Sequence, residues 1–556
     1  MRKRAQIKSK PVTYEPKHIS ETRKPKYEEK PKKDKKNWWI ALTLIAIFFM
    51  VLFLNTYFNL TSDIAIYEEG DGFGKYLLSG PDPYYNLRIV QGTYETGEYP
   101  YFSDTDPLLN YPLGARGGRA PLLNMMALGF SKLLTPFMNE VDAIGRSMQF
   151  IPALFGALLI FPVYFIGKNL FNKKAGLIAA FFIAIIPIHI GSGHGSAYSL
   201  FDHDSLNLLL FFFTFLFLIL SLKEKDRTKS MLYAVLAGVP LAALSMVWVE
   251  ARFLYVIIAG YTIVQMIIDI FTSKISTRVF LSTSITMLSG YLISLPVIIA
   301  KPGGFTFDVP LIMVLGVIGF GLLYYIFGIK KIPWTISLSF IVIVGAGALA
   351  FLYFVKDLVS SFPFLSHVEK LSTILFGSGI YGNKVSMTIA EANTYQISHT
   401  VMSFGPALYW LGWGGFILLL LYYYKEKIKR EYLLIIVLFI VDLWLATTAG
   451  RFLNDMVPLI AILAGWITWY FVDKINYKQM LRNIKSAGGG LHGIRRGIKF
   501  LHIFGVVFLA FIVLLPSVFI AFDAAVPSKI YQKEDGNYTN LKWEMFGEDY
   551  SGASDQ

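Results

Sequence analysis

From residue 38 to residue 522, long apolar runs alternate with short polar or charged stretches. Runs of about 18 residues or more can cross a bilayer as α-helices. A period-of-two alternation is nowhere sustained, so the pattern predicts spanning helices and not a closed barrel. The apolar segments lie near 38–58, 121–137, 146–167, 174–192, 204–222, 230–248, 252–271, 279–300, 309–328, 332–355, 406–424, 431–448, 452–471 and 501–522.

The connections between them orient the bundle, because Lys and Arg concentrate in short cytoplasmic loops. Six connections are basic: Lys168–Lys174, Lys223–Lys229, Lys274–Arg278, Lys330–Lys331, Lys425–Arg430 and Asp473–Lys499. They fall on alternate turns from residue 146 onward. Residues 1–37 are also basic, so span one runs outward and residue 146 must begin outside. Segment 121–137 cannot then be a full crossing. It is short, it is flanked by Arg116, Arg119, Glu140 and Asp142, and it is expected to lie in the interface or re-enter. Thirteen spans remain, with the amino end inside and the carboxyl end outside. The expectation is an all-α polytopic protein of the cell membrane: a tail at 1–37, a transmembrane unit at 38–525 with long external loops at 59–145 and 356–405, and a short external stub at 526–556.

Composition narrows the chemistry. The 556 residues are 54% hydrophobic and only 16% charged, and cysteine is absent, which excludes disulfides, thiolate metal sites and a cysteine nucleophile. Of the net charge of +13, the tail holds +9, from 14 Lys and Arg against 5 Asp and Glu. With no groove-reading or aromatic nucleic-acid module alongside, this tail reads as a cytoplasmic retention signal in contact with anionic membrane lipids, not as a nucleic-acid binder.

The outer face collects the candidate functional residues. Asp202 and Asp204 flank His203 in YSLFDHDSLNLL, at the mouth of an apolar run. Asp82 lies in GPDPYYNLR between Pro81 and Pro83, which discourage helix. Glu391 is the most isolated acid of SMTIAEANTYQ. Each has a plain alternative: Asp82 as a turn residue, Asp204 as the cap of a helix beginning at Ser205, Glu391 as a solvated acid. Two carboxylates about 4 Å apart repel by about 4 kcal/mol at an effective dielectric near 20. Converging acids therefore need a cation, and oxygen ligands favour Mg²⁺ or Mn²⁺. In an extended triplet His203 points away from both aspartates, which gives it a structural or supporting role. Arg451, in TTAGRFLND, either meets a substrate phosphate or pairs with Asp455. Arg88, Arg116 and Arg119 sit in a Gly-containing stretch where backbone can approach a ligand. Trp248 reads as an interface anchor, Asp442 as a residue paired with a neighbouring helix, and His194 carries no assignment.

These motifs, in this order, resemble the catalytic subunit of oligosaccharyltransferase, most closely its archaeal form. DPYYNLR at 82–88 and FDHDSLNLL at 201–209 are similar to the family's two acidic motifs, DPLLNYPLG at 106–114 to the later part of its first external loop, TIAE at 388–391 to its Thr-Ile-x-Glu motif, and GRF at 450–452 to its arginine segment. The resemblance covers about 38–525. It implies a GT-C-type glycosyltransferase membrane domain with its active site on the extracytoplasmic face. A glycan would pass from a lipid-linked (dolichyl phosphate or diphosphate) donor to Asn-x-Ser/Thr in an acceptor polypeptide. It further implies Asp82 and Glu391 on the acceptor amide, Asp82, Asp202 and Asp204 on Mn²⁺ or Mg²⁺, and Arg451, with Arg116 and Arg119, on the donor phosphate. The end of the chain, KWEMFGEDYSGASDQ, departs from the family's Trp-Trp-Asp-Tyr-Gly domain, which leaves three expectations: a truncated chain, a separate sequon-recognition subunit, or a different acceptor rule. A polyprenyl-phosphate glycosyltransferase with another acceptor, an inactive paralogue and a transporter remain the alternatives.

Overall fold

The computed structural model describes residues 38–61, 65–67, 70–191, 195–248, 251–302, 308–355, 396–425, 429–474, 477–527, 530–533 and 536–547. The long helices are α1 (Trp38–Thr61), α4 and α5 (Glu140–Leu158 and Ile160–Leu170), α8 (Asp204–Lys223), α9 (Arg227–Val247), α10 (Arg252–Phe271), α11 (Thr277–Ala300), α12 (Val309–Ile329), α13 (Trp334–Val355), α15 (Pro406–Lys425), α16 (Arg430–Thr448), α17 (Val457–Asp473) and α20 (Phe500–Ala525). Among the described residues, eleven helices are long and apolar enough to cross a membrane, with α4 and α5 counting as one. One expected span looks different. Segment 174–192 is not one rod: α6 (Lys173–Ile183) gives way to α7 (Pro187–Gly191), because Pro187 offers no N–H and disfavours helix in the residue before it. Segment 332–355 forms α13, whose 22 residues rise about 33 Å, enough to cross the hydrocarbon.

The starts of these helices are written in the loops. Asn139, Asn172, Asp226, Ser276 and Asp308 each accept an N–H of the following first turn, satisfying donors that the helix itself leaves open. The first long loop is itself largely helical, with α2 (Pro81–Thr96) and α3 (Leu122–Leu134). At 13 residues α3 is about 20 Å long, too short for about 30 Å of hydrocarbon. Its length agrees with the reading of 121–137 as a segment that does not cross.

α8 runs through the middle of the bundle, packed against α9, α4 and α5, with most of its residues buried. α17 crosses α6 and α15 closely. A Cβ on Gly465 would stand 2.7 Å from the backbone nitrogen of Ala179 and 2.9 Å from the carbonyl oxygen of Ala175, so only glycine permits this crossing. Near the carboxyl end, a two-residue hairpin (Tyr531–Gln532 with Tyr538–Thr539) and a short helix (Leu541–Phe546) fold back on the bundle. There Lys542 meets Asp523 at 3.5 Å, both buried.

Candidate active site

The site forms where three connections meet at the end of the bundle that holds the first residue of α8. Asp82 stands in the first turn of α2, contrary to the expectation that its prolines discourage helix. Pro81 is at the first helical position, where a missing N–H costs nothing, and its φ suits the helix. Gly80, at φ +91°, makes the turn into it, a conformation that side chains avoid. α2 is bolted to the second motif by Asn86, whose amide donates to the Phe201 carbonyl at 3.1 Å, and by the Ser79 N–H on the Ser199 carbonyl at 3.0 Å.

Residues 200–203 form a tight turn, with the Asp202 N–H on the Leu200 carbonyl at 2.7 Å. This overturns the extended reading of the triplet. The imidazole of His203 does not point away from its neighbours but lies between them, Nδ1 2.5 Å from Asp202 and Nε2 3.6 Å from Asp204. The ring stacks on Trp248, centroids 5.4 Å apart. Trp248 is thus a platform and not a simple interface anchor, and it carries the Arg451 guanidinium as well, 5.7 Å from the ring centre. Asp204 opens α8 itself and turns its carboxylate toward Arg451, 3.5 Å away. Arg451 sits in the helical turn Gly450–Leu453 before α17 and reaches back across the chain to Asp204 and to His203 Nε2, at 3.4 Å.

On the other edge of the imidazole, Arg119 binds Asp82 at 2.6 Å and Asp202 at 3.5 Å, and lies over the Tyr85 ring. Three carboxylates and two guanidinium groups therefore interleave around His203. Burial pushes the Asp202 carboxyl up, but the imidazolium of His203 and the guanidinium of Arg119 outweigh it and hold the acid below its ordinary range. Burial likewise pushes His203 down, and the charges of Asp202 and Asp204 reverse that and raise it. The contact between Asp202 and His203 thus favours the charged form of each. Arg119 follows the same pattern: desolvation opposes its charge, and Asp82 with Asp202 more than restores it.

Arg88 is not available to a ligand in the way expected. It grips the buried Asp106 with both nitrogens, at 3.2 and 2.5 Å, and lies against Tyr85. The hydrogen bonds from Arg88 hold Asp106 below the usual carboxylate range and raise Arg88 in turn. Asp106 also exchanges both backbone hydrogen bonds with Ala115, so this pair closes the 106–115 loop that delivers Arg119. Asp106→Asn should lower the melting temperature in detergent, with a cost of about 2 kcal/mol, less than a fully buried pair because the guanidinium is partly exposed. The double change Arg88→Met with Asp106→Leu should recover part of the loss; an unchanged melting temperature in the single variant would argue that the pair is idle.

Arg116 donates to the Pro302 carbonyl at 3.4 Å and lines, with Arg119, Tyr85 and Trp248, a pocket on the α2 side of the site. A second, narrower pocket on the other side of Trp248 is lined by Asp204, Arg451, Asn454 and Asp455. Glu391 and His194 lie outside the described residues. Asp442 is fully buried, and neither of its oxygens has a hydrogen-bond partner among the described residues, which corrects the expected pairing across helices.

Two supports escaped the motif reading. Asn86 sits unremarked inside DPYYNLR. Gln149, fully buried in α4, donates to the Ala65 and Leu77 carbonyls at 2.6 and 2.9 Å, accepts from Tyr198 at 3.1 Å, and offers its own carbonyl to Ser199. The signal for Gln149 was available: a lone amide in an apolar run is expensive unless it holds something.

Among the described residues, no three His, Asp or Glu side chains close on a common point as metal ligands. The donor set nevertheless suits a hard cation in one respect, since Asp82 and Asp202 already share a single positive group, the Arg119 guanidinium.

Fold and site together define a polytopic helical membrane protein with a carboxylate–arginine centre at one end of its bundle. The family model "Oligosaccharyl transferase STT3, N-terminal" matches residues 43–523, and the chain belongs to that family. It is 25% identical, over 76% of its length and 43% of the relative's, to dolichyl-phosphooligosaccharide-protein glycotransferase 1 of Pyrococcus furiosus. Its fold is that of the archaeal oligosaccharyltransferase AglB of Archaeoglobus fulgidus, solved in complex with an inhibitory peptide and a dolichol-phosphate. The TM-score is 0.68 at 20% identity, covering 88% of this chain and 56% of that one. A second structure of an Archaeoglobus fulgidus oligosaccharyltransferase, in complex with Zn and sulfate, matches with a TM-score of 0.60 at 19% identity, covering 87% and 53%. The chain thus spans little more than half the length of these relatives, or less.

Proposed function

We propose that this chain carries the donor-binding and catalytic centre of an oligosaccharyltransferase, which transfers a glycan from a polyprenyl phosphate or diphosphate to the side-chain nitrogen of Asn in Asn-x-Ser/Thr. The observation that carries the reading is the meeting of Asp82, Asp202, Arg119, His203 and Arg451 from distant segments at one end of the bundle. Family membership supplies the reaction class. The dolichol-phosphate and peptide held by the archaeal relative supply the kinds of donor and acceptor. The basic loop at the other end of α8 supports an extracytoplasmic position for this centre under the charge rule.

The residue types suit the chemistry. A carboxamide nitrogen shares its lone pair with its carbonyl, a resonance reflected in a rotation barrier of about 18–20 kcal/mol. Two carboxylates accepting its two N–H bonds can turn it out of conjugation. Asp82 takes one of these places and Glu391, from the 356–405 segment, the other. Asp82 and Asp202 fit a divalent ion, Mg²⁺ or Mn²⁺, with Asp204 as a third oxygen donor. Asp204 stands on the far edge of the His203 ring, where it shares its carboxylate with Arg451. When bound, such an ion draws negative charge away from the reacting centre. Arg451 receives the leaving phosphate, whose growing charge strengthens the contact. Trp248 and Asp204 hold that guanidinium in place.

The test is product analysis. Protein in native membranes, given lipid-linked oligosaccharide and a fluorescent Asn-x-Thr peptide, should yield a peptide heavier by one glycan on Asn. The Gln-x-Thr peptide should remain unmodified. Transfer to a lipid or hydroxyl acceptor in place of the peptide would reject the reading.

A further inference from the structure

The other end of α8 carries a second charged site that the transfer reaction does not use. α8 runs from Asp204 to Lys223, 20 residues in all. At about 1.5 Å per residue this places Lys223 about 30 Å from the acid cluster, one hydrocarbon thickness away. α16 repeats the arrangement, with Arg430 at its start and the Arg451 turn beyond its end. Between the ends of α8, α10 and α16 lies an open pocket lined by Lys223, Lys274, Lys429 and Arg430, with Asp269 and Glu431.

The floor of this pocket is settled internally. Asp269 receives Arg430 at 3.3 Å, the Gln265 amide at 2.8 Å and the Tyr324 hydroxyl at 3.1 Å, and the Tyr261 hydroxyl donates to the Arg430 carbonyl. Arg430 and Asp269 therefore neutralise one another. Above them, among the described residues that line the pocket, stand three ammonium groups against the carboxylate of Glu431. Lys223 is directed at the neutral carbonyl of Asn169, and Lys429 lies over the Tyr432 ring. The three lysines arrive on three different segments, so the positive charge is focused on one concavity. Basic pockets between spanning helices at the cytoplasmic surface suit lipid phosphates, and Lys binds phosphate as a compact point charge.

We propose that this pocket binds the phosphate of an anionic membrane lipid in the leaflet opposite the transfer site. The lipid would tie together the α8–α9, α10–α11 and α15–α16 turns. Neutral lipid has no net charge to match the excess.

Native mass spectrometry of the full chain released from micelles containing phosphatidylglycerol or phosphatidylcholine tests this. Phosphatidylglycerol should stay bound preferentially. Lys274→Gln with Lys429→Gln should weaken its retention by about 10-fold or more. The charge-preserving pair Lys274→Arg with Lys429→Arg should retain it. Thermal melting of each variant separates lost lipid from lost fold. Equal retention in the Gln variant, or equal retention of phosphatidylcholine by the unaltered chain, would overturn the proposal. So would displacement of the lipid by millimolar inorganic phosphate, which would mark the pocket as a site for free phosphate.

Discussion

Asp202→Ala should reduce glycan transfer to an Asn-x-Thr peptide by about 1000-fold or more, while the protein remains inserted and monodisperse. Asp202 joins two cationic groups of the centre: it binds His203, lies 3.5 Å from Arg119, and through Arg119 is linked to Asp82. Its removal leaves the buried His203 without its principal counter-charge and takes one oxygen donor from the proposed ion. Both effects fall on the reacting region, not on the bundle, whose long helices pack elsewhere. Asp202→Asn keeps the volume and one acceptor but not the charge, and should be nearly as inactive. Two measurements separate chemistry from folding. Melting in detergent should shift by only a few degrees, and donor binding should survive better than turnover. Substantial transfer by either variant would exclude Asp202 from the centre.

Much of this was legible in the sequence, and for identifiable reasons. The bundle could be read because apolar length and basic loops are dictated by the bilayer. The acids could be located because charges at the mouth of an apolar run need partners. What failed was local geometry. Pro81 and Pro83 signal a helix break in mid-chain but a helix start when a glycine with positive φ precedes them, and no pattern distinguishes the two until the Asn86–Phe201 contact is known. His203 was misplaced because a single turn, set by the Leu200 carbonyl, rotates it between its neighbours. Arg88 and Arg119 share one loop and one composition. Only the long-range fold assigns the first to Asp106 and the second to Asp82 and Asp202.

Arg451 is the sharpest case of a residue whose role depends on where the chain brings it. An arginine at the start of an apolar helix must find an anion, and Asp455 was one candidate. Its reach across to Asp204 and His203 places the guanidinium at the edge of the acid cluster, over Trp248 and beside the pocket that Asn454 and Asp455 help to line. If its task is to receive the leaving phosphate, Arg451→Ala should lower turnover by about 100-fold, in the range seen when one positioned donor to developing charge is removed. Arg451→Lys should recover only part of that, since an ammonium keeps the charge but loses both the planar fork and the stack on Trp248. A purely structural role predicts the opposite ordering. Losing the Asp204 contact would then lower the melting temperature in proportion to the activity, and Lys would restore both. Turnover, donor KM and melting measured on the two variants therefore decide between them. A fall in turnover with melting unchanged and only a modest rise in donor KM identifies a contact made chiefly as the phosphate leaves. A rise in KM with turnover intact reduces Arg451 to ground-state binding.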